Sequence, residues 1–171
     1  NTQGRRNHLI TAVQQLKDAH GQNQPLCKLL PGFCATSPKR EGVGLRDLSQ
    51  PIHDMYKAND VGRVTTEMYL SDMQPAMKPP DAFACMAHRD IDRVDIDQLE
   101  GRITSVLLTP YPPGIPLLIP GERFNRTIVQ FLQFARDFNE RFPGFDTDIH
   151  GLVETSDDGK LRYYVDCVRP K

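Results

Sequence analysis

Residues 101–122 read "GRITSVLLTPYPPGIPLLIPGE", an apolar run that passes into a stretch with five prolines. Proline fixes φ and supplies no backbone donor, so the second half is neither an ordinary strand nor an ordinary helix. Loops are usually polar. This one carries Ile115, Leu117, Leu118 and Ile119, so it combines backbone rigidity with apolar character. The first half, "RITSVLLT", reads as a buried strand. Tyr111 stands between Pro110 and Pro112 in an extended backbone, with little conformational entropy left to lose. Two roles are open to such a ring. It is a core aromatic whose hydroxyl finds a partner, or it walls a pocket and is offered to a neighbouring surface.

Helical and extended patterns alternate on both sides of this stretch. Downstream, "TIVQFLQFARDFNERF" (127–142) places Ile128, Phe131, Leu132, Ala135, Phe138 and Phe142 on one wide stripe, and Pro143-Gly144 ends the helix. "IHGLVET" and "LRYYVDCV" flank "SDDGK", and Asp158-Gly159 predicts a hairpin turn. Upstream, residues 7–20 predict a helix with an apolar stripe of Leu9, Ile10, Val13 and Leu16, stopped at Gly21. Residues 21–44, rich in Gly, Pro and Ser, read as a connector. A second helix is expected near residue 47. Asp47 and Gln50 form its capping box, Pro51 lies in the first turn, and Ile52, Met55 and Tyr56 face inward. Residues 64–78 predict a short strand. "PPDAFACMAHR" predicts a helix opening at Asp81. Val94 and Ile96 alternate before a helical turn over Asp97–Glu100. The sum is an α+β fold, with short strands mixed among helices.

The chain has 171 residues, net charge −1, 39% hydrophobic and 25% charged residues. These values fit a globular domain and give no sign of a general nucleic-acid binder. No apolar run nears the ~20 residues of a membrane helix. Cys27, Cys34, Cys85 and Cys167 form no CxxC pair, which argues against a zinc site. Four free thiols in a reducing cytoplasm are expected. With Asn1 first in place of Met, the chain reads as a fragment of something longer.

Candidate chemistry is sparse. "GFDTDIHG" sets Asp146, Asp148 and His150 at alternate positions, on one face if the segment is extended. Asp and His together suit a divalent metal, but this spacing matches no strong metal motif. The competing role is hydrogen bonding that fixes the loop. His53, beside Ile52, reads as a partly buried histidine rather than a catalytic one. "GVGLRD" lacks the flanking strand of a phosphate loop, and there is no GxSxG elbow or Cys–His pair. No self-contained catalytic apparatus is legible.

The stretch 101–122 strongly resembles the C-terminal domain of the bacterial ornithine/lysine/arginine decarboxylases. There a Gly-Arg, an apolar strand, Pro-Tyr-Pro-Pro-Gly, a short apolar run and Pro-Gly-Glu follow in this order. "FPGFDTDIHG" (142–151) is similar to the lysine-decarboxylase branch. "DLSQPIHDM" (47–55) resembles the helix that opens the domain, and "HLITAVQQLKDAH" the last helix of the preceding small domain. The resemblance covers nearly the whole chain.

That resemblance implies fold-type I pyridoxal-phosphate enzymes that remove the α-carboxylate of a basic amino acid, many of them serving acid resistance. It divides the chain into residues 1–36, the end of an aminotransferase-like small domain and connector, and residues 37–171, the decarboxylase C-terminal domain. Tyr111 and Glu122 would border the substrate channel. Pro110, Pro112, Pro113, Gly114, Asp146, Asp148 and His150 would structure the loops. The family's cofactor lysine follows Ser-x-His, and none of this chain's lysines is preceded by His. No catalytic or cofactor-binding residue is therefore expected within it, and the isolated chain should be inactive. Partners implied are the cofactor domains of the same enzyme and a second subunit, in dimers or decamers, with no nucleic acid and no membrane. A stand-alone, non-catalytic module derived from such an enzyme is the alternative.

Overall fold

The computed structural model describes residues 2–35, 41–157 and 160–170. The chain forms two compact units, residues 1–57 and 58–171.

In the first unit, α1 (Thr2–Gly21) runs longer than the pattern predicts. Its apolar stripe is exposed: Leu9, Ile10, Val13 and Leu16 each keep more than half their surface open. The connector folds into two short helices, α2 (Leu26–Leu29) and α3 (Pro31–Ala35). They turn the chain back on itself, and Cys27 and Cys34 form a disulfide with Cα atoms 5.3 Å apart, within the usual range. The expectation of four free thiols is thus corrected; Cys85 and Cys167 are the free pair.

Helix α4 (Leu45–Ala58) starts earlier than expected. Its cap comes from a distance: Asn23 Oδ1 accepts from the Arg46 and Asp47 backbone N–H groups at 2.9 and 3.3 Å. This replaces the predicted Asp47–Gln50 box. Gln50 instead donates to Asp54 Oδ1 at 2.9 Å. Pro51 falls in the second turn rather than the first, so the ladder bond to the Asp47 carbonyl is lost. Ile52 and Met55 are half-buried, but Tyr56 is exposed.

The second unit opens with α5 (Val61–Leu70), where a strand was expected from residue 64. Two threonine hydroxyls bond back along the helix, Thr65 to the Val61 carbonyl at 2.7 Å and Thr66 to that of Gly62 at 2.9 Å. Val61, Val64 and Met68 bury one face, and α5 packs against the long helix α7 (Arg126–Arg141). Tertiary burial overrides the β-propensity of Val and Thr here. α6 (Pro79–Ala87) begins on its prolines. β1 (Ile91–Asp95) leads into a 3₁₀ turn over Ile96–Gln98, in place of the expected helical turn, with Asp95 capping the Asp97 N–H at 2.9 Å.

Residues 102–108 do not form the predicted strand. They make single bridges to three partners, Ile103 to Arg123, Thr104 to Cys167 and Leu108 to Leu118. Buried Thr104 and Ser105 break the regularity: the Thr104 hydroxyl bonds the Val106 carbonyl at 2.7 Å, and that of Ser105 the Asp166 carbonyl at 2.7 Å. The extended strand is only β2 (Thr109–Tyr111), paired antiparallel with β3 (Asp148–His150). β4 (Val153–Asp157) and β5 (Lys160–Val168) pair antiparallel as predicted, and a three-stranded sheet runs β1-β5-β4. The hairpin turn at 158–159 lies outside the described residues.

Helix α7 is capped by Asn125, whose side chain accepts the Ile128 N–H at 3.0 Å. Its six predicted core residues are all buried. Ile128, Phe131, Leu132 and Ala135 pack in one cluster with Val94, Tyr163 and Val165 of the sheet and with Leu108, Leu117 and Leu118 of the proline segment, and the Phe138 and Phe142 rings lie 5.2 Å apart at the helix end. The α+β expectation stands. Among the described residues, no helix is long and apolar enough to cross a membrane.

Candidate functional site

The proline segment is a hairpin-like loop anchored on one side and open on the other. Leu108 holds it by backbone bonds, accepting from Leu117 at 2.7 Å and from Leu118 at 3.4 Å and donating to Leu118 at 3.0 Å. Leu117 and Leu118 are buried, whereas Ile115 and Ile119 are exposed. Only part of the apolar run therefore serves as the anchor. The tip closes through Gly114 N–H to the Pro110 carbonyl at 2.9 Å. The bonds Tyr111–Pro112 and Pro112–Pro113 are cis. Gly114 has φ +79, and a Cβ there would stand 2.9 Å from Tyr111 Cε1. Glycine thus permits both the backbone turn and the ring's close approach.

Tyr111 is not a core aromatic; 45% of its surface is open. β pairing sets Tyr111 opposite Asp148 and Thr109 opposite His150. The Tyr111 and His150 rings lie with centroids 4.6 Å apart, tilted by 40°. His150 Nε2 is 3.1 Å from Asp148 Oδ2. The proline motif and the Asp-Thr-Asp-Ile-His motif thus form one surface. Asp146 serves its own loop, accepting the Gly144 N–H at 3.0 Å.

Glu122 does not join this group. Its carboxylate accepts the Ile119 N–H at 2.8 Å and closes the Pro-Gly turn. Gly121, at φ +95, passes so close to the Met77 carbonyl that a side chain would collide with it.

One organising residue was missed in the sequence. Asn139, buried on α7, donates to the Tyr163 hydroxyl at 2.7 Å and to the Thr147 carbonyl at 3.1 Å. It also accepts the Thr147 N–H at 2.9 Å. A polar residue beside Phe138 on the apolar face of α7 was the available signal. Burial pushes the Tyr163 hydroxyl up to about 12, against the lowering effect of the Asn139 bond. Above it opens a cleft of about 520 Å³, with Glu140, Asp146, Asp148 and Glu154 on its walls and no basic side chain among its lining residues. Its field attracts cations.

A larger cleft, about 930 Å³, lies elsewhere in the second unit, between Met77, Cys85, Arg102, Arg123, Val168 and Arg169. Arg102 and Arg169 share Asp92, at 3.0 and 3.1 Å. These bonds, that from Arg169 first, hold the Asp92 carboxyl below its usual range. Arg102 Nε is buried and has no hydrogen-bond partner among the described residues. His53 is exposed on α4. Among the described residues, no group of three or more His, Cys, Asp or Glu side chains is arranged to hold a metal ion.

Residues 62–169 match the family profile described as Orn/Lys/Arg decarboxylase, C-terminal domain. The lysine decarboxylase LdcA of Pseudomonas aeruginosa is 41% identical over 172 residues, covering 98% of this chain and 23% of that protein. An inducible ornithine decarboxylase of Lactobacillus is 30% identical over 166 residues, 95% of this chain and 23% of that protein. In three dimensions, lysine decarboxylase A from Pseudomonas aeruginosa superposes with TM-score 0.83 at 40% identity, over 95% of this chain and 22% of the other. The chain therefore spans under a quarter of the length of these relatives.

Proposed function

Because the chain belongs to the Orn/Lys/Arg decarboxylase family, as its C-terminal domain, we propose that it works as one part of a pyridoxal-phosphate-dependent decarboxylase of basic amino acids. Lysine, giving cadaverine and CO₂, is the preferred substrate; arginine and ornithine are the alternatives. In this proposal residues 1–36 end the small domain and residues 37–171 form the C-terminal domain. The domain borders the substrate channel and the assembly interface, against the cofactor domains of its own chain and a second subunit. Pyridoxal phosphate, when bound, supplies the electron sink for decarboxylation. None of this chain's residues is assigned to hold it. A cytoplasmic location is part of this proposal, supported by the family resemblance alone; with Cys27 and Cys34 joined, free thiols no longer support it.

The observation that carries the channel role is the outward Tyr111 ring on a short paired strand of a proline-stiffened loop. A phenol fixed in this way holds the distal ammonium of a basic substrate with little further ordering. The neighbouring acidic cleft has the sign of charge that draws such a substrate in. Glu122 contributes by closing the turn that ends the loop.

Tyr111→Phe in the full-length enzyme tests this. It removes one oxygen and keeps the packing. A hydrogen bond to a charged partner contributes about 1.5–3 kcal/mol. The expected loss in kcat/KM is therefore roughly 10- to 100-fold, with thermal stability nearly unchanged. Normal kinetics with an earlier melt would instead make Tyr111 a structural residue. The isolated chain should form no aldimine absorbance band with added cofactor. A borohydride-trapped adduct mapping to one lysine would refute that.

A further inference from the structure

We propose that His150, oriented by Asp148, is a positioning residue for Tyr111: its imidazole sets the plane of the phenol ring and so the place of its hydroxyl. The inference rests on the channel role proposed for Tyr111 and adds a specific determinant to it.

The β2–β3 ladder supplies the reason these side chains meet. Tyr111 is directly opposite Asp148, and His150 stands opposite Thr109. His150 is therefore the diagonal neighbour of Tyr111, and diagonal neighbours in an antiparallel pair are within reach when the side chains are aromatic. Alternation along β3 puts Asp148 and His150 on one face and turns Ile149, which is buried, to the other. Ile149 thus pins the strand from behind while its two neighbours face outward.

Contacts then limit the Tyr111 ring from two directions. The His150 ring lies 4.6 Å away centroid to centroid, at a 40° tilt, an arrangement within the favourable range for aromatic pairs. Gly114 is the second limit, since even a Cβ there would come within 2.9 Å of Tyr111 Cε1. His150 is itself held: its Nε2 lies 3.1 Å from the Asp148 carboxylate, which accepts a hydrogen from the ring and fixes its rotation. A carboxylate thus orients an imidazole, and the imidazole orients a phenol.

The side chains of His150 and Asp148 are 62% and 68% exposed. An exposed His–Asp pair adds little to stability, so the ordered rings are better explained by what they face than by what they hold up. His150 touches no reacting atom in this scheme and acts only through Tyr111.

The test is steady-state lysine decarboxylation by the full-length enzyme, with thermal melts alongside. His150→Ala should lower kcat/KM about 3- to 10-fold, the range expected for losing one aromatic pair, chiefly through KM, with the melting temperature unmoved. His150→Phe restores a ring and should recover activity to within about 2-fold of wild type. Asp148→Asn should lose about 2- to 3-fold, from a weakened tether. In a Tyr111→Phe background, His150→Ala should cost nothing further, because no hydroxyl remains to be aimed. Normal kinetics for His150→Ala beside an impaired Tyr111→Phe would overturn the positioning role and leave the channel role standing. Additive losses would overturn it too, by making His150 act independently. A Tyr111→Phe enzyme with normal kinetics would remove the channel role itself. Should His150→Ala fold poorly, Asp148→Asn in both backgrounds decides by the same criterion.

Discussion

Helices α1 and α7 carry the same kind of signal and meet opposite fates. Each has an apolar stripe at helical spacing. On α7, Ile128 and Leu132 are 0% exposed, whereas on α1, Leu9 and Leu16 are 66% and 61% exposed. Periodicity reports that a face seeks cover; it does not report where the cover comes from. For α7 the cover lies within the second unit, in the sheet and the proline segment. For α1, none of the described residues of the first unit closes over the stripe. The relatives are more than four times as long, and a domain shaped to sit among others exposes apolar surface when considered alone.

Two substitutions in the 171-residue chain would break or sharpen this contrast. Leu132→Ala empties part of a closed core and should cost about 2–5 kcal/mol, read from the denaturant midpoint. Val13→Ser is nearly neutral in helix propensity and removes an apolar group that is 58% exposed. It should change stability by no more than about 0.5 kcal/mol here. The same substitution in the full-length protein should cost clearly more. Equal, small effects in both would mean that the stripe on α1 is left uncovered there as well.

The difference between these helices also explains what was legible in the sequence. Element α7 could be read because stripe and stop signals agree, and the β4–β5 pair because strand patterns flank a turn signal; the Asn125 cap of α7 came only with the structure. The strand expected at 64–78 was misread because Val and Thr favour extended structure until packing and hydroxyl back-bonding decide otherwise. The cap on α4 could not be seen locally, since Asn23 supplies it from the connector. Nor could the Cys27–Cys34 bond, which depends on two short helices turning the chain. At the site, the individual residues stood out: Tyr111 by its prolines, Asp148 and His150 by their alternation. Their meeting depends on strand register between distant segments, and Asn139, which anchors the acidic loop from α7, was hidden within an otherwise apolar face.

The smallest expected effect concerns the outer faces of the two helices. On α7 that face is tied to the 3₁₀ turn: Gln133 and Arg136 donate to Asp97 at 2.7 and 2.9 Å. On α1 the comparable bond stays within the helix, from Gln14 to Asp18 at 3.0 Å. Partial burial alone would raise the Asp97 carboxyl, but the bonds from Gln133 and Arg136 and the Arg136 charge together bring it below its usual value. A carboxyl depressed in the folded state stabilises that state above its unfolded pKa of ~3.9. The contribution is lost as pH falls through the lower, folded value. Asp97 is 51% exposed, so solvent screening holds its share to about 1 kcal/mol or less. Asp97→Asn should therefore lower the melting temperature slightly near pH 7 and flatten its decline below pH ~4. Parallel acid profiles for wild type and Asp97→Asn would show that the tie from α7 to the turn contributes no pH-dependent stability.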